Sequence, residues 1–261
     1  MKKLLLSVVP VLAFMAMVSS CTKVDTPDVT PPVDTTKPTP SPAPTPFTPS
    51  AGDANGVMAA VQMKYKLEQA GIAFDVDYET AVATFTNGSA ALVDAGTVSV
   101  NNINLEKQSN NSYIKMATTG MTTADLKYSS GVSWNVTGGI NGVSAISYNH
   151  GTNFPNYTEE LPATITKSNS LSFTFNASTV QNADSVYVFI GSTGNKTFIR
   201  GYSPTAGNIK ISGNDLTGIP NVSDNTAFLE VVPVKFAVET IGGKRYTFIK
   251  EQAVVRNVNI N

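Results

Sequence analysis

The sequence predicts an all-β protein: two β-sandwich domains that follow a disordered linker rich in Pro and Thr. Three observations carry that expectation. After Ser50, apolar and polar residues alternate with period two over most of the chain, the mark of half-buried strands. Gly, Asn and Ser turns recur at about ten-residue spacing, as in sandwiches and barrels. Helical signal is thin. The best stretch, VQMKYKLEQAG at 61–71, has good helix formers, but the overlapping VMAAVQMKY alternates like a strand, and we read it as one.

The amino-terminal segment comes first in chain order. Lys2 and Lys3 precede the uncharged run LLLSVVPVLAFMAMV, and the small residues Ser19 and Ser20 follow. This is the layout of a secretory signal over residues 1–20. Its apolar run of 15 residues is shorter than the ~20 a bilayer-spanning helix needs. Val18-Ser19-Ser20-Cys21 resembles the lipobox of bacterial lipoproteins, in which an aliphatic residue and two small ones precede an acylated cysteine. The resemblance implies cleavage before Cys21 and a lipid anchor on it. One acyl chain, at about 0.8 kcal/mol per buried methylene, holds a protein only marginally, so stable anchoring takes two or more. Cys21 is the only cysteine, so no intrachain disulfide is available. Removal of Lys2 and Lys3 leaves 16 basic residues against 19 acidic ones. No basic face suited to phosphates emerges, and nucleic acid is not an expected partner.

Residues 21–50 form the linker. Nine of the fifteen prolines lie here, with Phe47 the only large apolar group. Such a stretch buries too little surface to offset chain entropy, and proline density extends it at about 3.1 Å per residue, a reach on the order of 90 Å. Thr22 after the cysteine departs from the aspartate associated with inner-membrane retention, so the resemblance implies the outer membrane, on its periplasmic side or at the cell surface. Lys23, Asp25 and Asp28 resemble the charged tether of surface-exported Bacteroidetes-type lipoproteins, with sparser acid. Asp34-Thr35-Thr36 is similar to the short O-glycosylation acceptor of such bacteria, which makes Thr35 the candidate modification site.

The two β domains are expected at 51–154 and 155–261, divided in HGTNFPNYTEELPA by Pro155 and Pro162. The second, about 100 residues with some seven strands, has the size of an immunoglobulin-like domain without the Cys…Trp…Cys core. Val132, Trp134 and Val136 share one phase, as do Leu171, Phe173 and Phe175. Trp134 is thus expected in the core. Asn101-Asn102 and Gly242-Gly243 fit two-residue hairpin turns that need positive φ. The first pairs Val100 with Ile103 and Val98 with Leu105.

Chemistry-bearing motifs are few. A single histidine, His150, excludes multi-histidine metal sites, and no GxSxG elbow supports a serine triad. AGDANGVM at 51–58 starts like a calcium loop, but its glycine comes too early. Asp75, Asp77 and Glu79 fall on one face of a strand, the row a solvated face or a bound cation would use. Glu159-Glu160 is the one adjacent acid pair considered for glycoside hydrolysis. Tyr148, Phe154 and Tyr157 gather near the domain boundary and are the candidate ligand-facing aromatics. No catalytic residue, metal or cofactor is assigned. The expectation is a non-enzymatic, lipid-anchored envelope protein that meets a glycan, a peptide or a neighbouring envelope protein. Its alternatives are an envelope polysaccharide hydrolase and a subunit of a fimbria-like appendage.

Overall fold

The computed structural model describes residues 54–69, 72–88, 91–116, 126–192 and 197–261. Cys21, Thr35 and Asp53, with the signal segment and the linker, lie outside the described residues. The first strands are β1 (Gly56–Gln69), β2 (Ile72–Phe85), β3 (Val98–Val100), β4 (Ile103–Asn104), β5 (Glu106–Lys107) and β6 (Tyr113–Lys115). Next come β7 (Ser133–Val136), β8 (Ile146–Asn149), β9 (Asn156–Tyr157), β10 (Thr164–Ile165), β11 (Leu171–Phe175) and β12 (Val180–Gln181). The last are β13 (Ser185–Ser192), β14 (Phe198–Tyr202), β15 (Gly207–Ile211), β16 (Val222–Ile241) and β17 (Lys244–Ile260). The class is all-β, and residues 56–69 are a strand as the alternation predicts.

A nine-stranded sheet organises the molecule, in the order β14-β13-β16-β17-β1-β2-β6-β5 with β10 also paired to β17. Its central strands are long: 14 residues each in β1 and β2, 20 in β16 and 17 in β17. Three small sheets, β4-β3-β7-β8, β11-β15 and β9-β12, complete the structure. β1 pairs in parallel with β17, so strands from opposite sides of residue 154 are hydrogen-bonded neighbours. Strands from both sides of 154/155 also share the first core, to which Tyr246 and Phe248 contribute. The reason is length: at about 3.3 Å per residue, β16 and β17 span some 55–65 Å and run under both cores.

The first core packs Met58, Phe85, Tyr246 and Phe248 of the large sheet against Val98, Val100, Trp134 and Ile146 of the small sheet that contains β3, β7 and β8. Val132, Trp134 and Val136 are buried in the phase the sequence predicts. The second core joins Val186, Val188, Ile190, Leu229, Val231, Val258 and Ile260 to Phe173, Phe175 and Ile211 of β11 and β15. Both lie on one face of the large sheet. The opposite face gathers a third cluster, with Ala59, Val61, Met63, Phe189, Val232, Val234, Ile249, Ala253 and Val255.

Both predicted hairpins form. Val100 pairs with Ile103, and Asn101 and Asn102 have φ of 48° and 64°. The Asn101 side chain also brackets the neighbouring loop: its Nδ2 donates to the carbonyls of Leu126 (2.7 Å) and Gly131 (2.8 Å), while its Oδ1 accepts from the Ser133 N–H (2.9 Å). Ile241 pairs with Lys244 across Gly242 and Gly243, at φ 58° and 75°. Gly56 serves a different need. A Cβ there would sit 2.7 Å from Phe85 Cδ1 and 2.9 Å from Tyr246 Cδ1, so the aromatic floor of the first core closes directly over the backbone.

Candidate functional site

The two cores on the shared face do not touch along their whole length. Between them the long strands present a polar band. Directly opposed residues in a sheet point to the same side, so the register fixes its rows. Glu79 of β2 faces Gln62 of β1, which faces Gln252 of β17. One row further, Asp77 faces Lys64, which faces Val254. On the other side of the glutamines, Ala60 faces Lys250, which faces Lys235 of β16. Successive rows on one face are about 7 Å apart.

Gln62, Lys64, Asp77, Glu79 and Gln252, together with Met63 and Tyr78, line a cavity of about 190 Å³. Gln252 Nε2 donates to Gln62 Oε1 at 3.1 Å, and Glu79 Oε2 accepts from the backbone N–H of Leu126 at 2.6 Å. Gln252 is 7% exposed, and its Oε1 has no hydrogen-bond partner. The band thus combines acceptors, one amide pair and, at the exposed edge, a carboxylate and an ammonium.

Lys250 closes the end of the band. It is 3% exposed, and its Nζ donates to the carbonyls of His150 (2.9 Å) and Gly151 (3.5 Å) while lying 5.7 Å from the Phe154 ring centroid. Two carbonyls and a ring face satisfy a cation that would otherwise be costly to bury. Burial lowers its pKa, as does the nearby Lys235. His150 feels the same surroundings: burial, then the charges of Lys250 and Lys235, bring it down to about 4. The imidazole is therefore neutral at physiological pH.

The three aromatics near the boundary are structural. Tyr157 is buried in the second core, and its hydroxyl donates to Glu159 at 3.2 Å. Tyr148 stacks on Phe248 with centroids 3.8 Å apart, and Phe154 lies against Tyr128 at 5.3 Å. Both pack on the first core. Phe154 lies over the Lys250 ammonium at the end of the polar band. Tyr157 is buried, whereas Tyr148 and Phe154 are half-buried against the first core.

The acid pair at 159–160 is likewise committed. Glu160 accepts from Lys66 and, at 3.3 Å, from Arg256 Nη1, and these two basic residues are themselves opposed on β1 and β17. Hydrogen bonding and charge from Lys66 lower its pKa, with Arg256 adding to the effect. The pair ties the 158–163 loop to the large sheet. Asp77 and Glu79 share one face of β2, as the alternation requires, but Asp77 faces Lys64 and Glu79 faces Gln62. Among the described residues no group of three or more His, Cys, Asp and Glu side chains could hold a metal ion.

Gln62, Lys64 and Gln252 carry no motif and were not singled out by sequence. Their signal is polarity at strand positions whose neighbours two residues away, Ala60 and Val254, are apolar.

A second feature invisible at sequence level lies on the opposite face. Glu230 faces Phe189 and Val255, and Glu251 faces Val61 and Val234. The two residues are 1% and 2% exposed, and Glu230 Oε2 and Glu251 Oε1 lack hydrogen-bond partners. Burial pushes both carboxyls up to about 8, Glu230 with a further contribution from Glu251. Both are uncharged at neutral pH.

No protein-family model, curated protein or solved structure matches the chain.

Proposed function

We propose that this chain is a lipid-anchored protein of the bacterial cell envelope, attached to the outer membrane through Cys21, whose two sandwich-like lobes bind an envelope glycan, peptide or protein without turning it over. The observation that carries the binding role is the polar band between the two cores, where free donors and acceptors line a cavity on a sheet built from both halves of the chain. The resemblance of Val18–Cys21 to a lipobox carries the anchor. The linker sets the lobes off from the lipid surface.

A hydrolase reading has one observation in its favour. Asp77 and Glu79 line the same cavity from positions two apart on β2, about 7 Å of strand, inside the ~5–9.5 Å range of paired glycosidase acids. Against it, Glu79 already accepts a backbone N–H and Asp77 stands at the exposed edge.

Two measurements separate these readings. Cys21→Ser is expected to move the full-length protein from the membrane fraction to the soluble envelope fraction and to abolish fatty-acid labelling; unchanged fractionation would refute the anchor. Incubated with envelope polysaccharide, the wild-type protein is expected to release no reducing ends. Reducing ends that disappear in Glu79→Gln would establish the hydrolase instead.

A further inference from the structure

We infer that the cavity between the two cores takes a single neutral sugar ring, and that Gln62, Gln252, Asp77 and Glu79 are the residues that hold it; this rests on the binding role proposed above. The first reason is the mixture of groups. Gln62 and Gln252 supply amide donors and acceptors, Asp77 and Glu79 supply acceptors, and Lys64 supplies a donor, all in one lining. A hydroxyl both donates and accepts, so neighbouring hydroxyls on a ring can serve a carboxylate and an amide together. Asp77 and Glu79 outnumber Lys64 in the lining and so oppose an anionic sugar, while Lys64 stands opposite Asp77 across the strands and takes up part of its charge.

Size is the second reason. At about 190 Å³ the cavity is smaller than the ~300–1,000 Å³ typical of drug-sized ligands, which suits one ring at a chain end and not an internal stretch of polymer. The third is Gln252. Its carbonyl oxygen is buried without a partner, which is unfavourable for a polar atom withdrawn from water. Its amide nitrogen is already fixed on Gln62, so the two glutamines move as a unit. Rotation of that pair turns the orphaned oxygen toward a ring hydroxyl and satisfies both. On β17 itself the positions flanking Gln252 do not share this role: Lys250 is held by two carbonyls, and Val254 packs against the second core.

The test uses the full-length lipidated protein in detergent, titrated with the methyl glycosides of glucose, galactose, mannose and N-acetylglucosamine, with glucuronate and lysine methyl ester as charged comparators. Saturation-transfer NMR and calorimetry read the binding. At least one neutral glycoside is expected to bind. Gln252→Leu and Asp77→Asn are each expected to weaken that glycoside by tenfold or more. Asp77 is solvent-exposed, so its variant keeps the result interpretable should Gln252→Leu fail to fold. Absence of binding by all four glycosides at tens of millimolar would overturn the inference, as would unchanged affinity in Asp77→Asn or a preference for either charged comparator. None of these results touches the non-enzymatic reading, which falls only if polysaccharide is cleaved.

Discussion

The two faces of the large sheet are made by the same central strands, yet they treat polar side chains in opposite ways. On the face that carries the two cores, polar residues come as a band. Glu79, Gln62, Gln252 and Lys250 occupy adjacent rows and spend their hydrogen bonds on one another, on nearby backbone or on the cavity between them. On the other face, Glu230 and Glu251 stand among Val, Ile, Ala and Phe. With no partner for Glu230 Oε2 or Glu251 Oε1, they keep their protons. Grouping lets a charge survive burial because neighbours replace water, whereas a solitary buried carboxyl gives its charge up.

The comparison can be broken most severely on the cored face. Phe248 is fully buried and stacks on Tyr148. Phe248→Ala is expected to cost about 3–5 kcal/mol, the usual range for an aromatic deleted from a packed core, read as a lower urea midpoint. The opposite face sharpens it through pH. Glu230 and Glu251 hold protons in the folded chain up to about 8, whereas unfolded they would release them near 4.3. Between those values the native state binds more protons than the unfolded one, so stability falls as pH rises. The slope is about 1.4 kcal/mol per pH unit for each group. Glu230→Gln with Glu251→Gln is expected to flatten that decline, so urea midpoints at pH 5 and pH 8 should converge; an unaltered slope would show that other groups set it. The smallest effect belongs to Glu160, whose side chain is 67% exposed. Glu160→Gln is expected to move the urea midpoint least of the three changes, and less still in high salt.

What the sequence made legible was local. Asn101-Asn102 and Gly242-Gly243 announce their hairpins because positive φ is a property of two residues, and the phase of Val132, Trp134 and Val136 gives their burial directly. The parallel pairing of β1 with β17 joins residues 190 positions apart, and no periodicity in either strand names its partner. For the same reason, a boundary read from prolines 155 and 162 gives no sign that β17 returns to the sheet and to the first core through Tyr246 and Phe248. The band of Gln62, Glu79 and Gln252 exists only once β2, β1 and β17 lie side by side. Asp77 and Glu79 could be placed on one face of a strand, but their neighbours could not. Glu230 and Glu251 left a faint trace. In AFLEVVPVKFAV the apolar residues occupy both phases, which marks a strand covered on both sides, and a glutamate in such a run has no solvated face to turn to.

The position of β1 has a mechanical consequence. β1 is flanked by β2 from Gly56 to Gln69 and by β17 from Gly56 to Lys66. A pull from the amino-terminal side, directed along the strand, loads the hydrogen bonds of both ladders together in shear, whereas a strand at the sheet edge could be peeled off one bond at a time. β17, the last strand among the described residues, is also one of the two that grip β1. A chain arrested before β17 lacks one of the two ladders that hold β1.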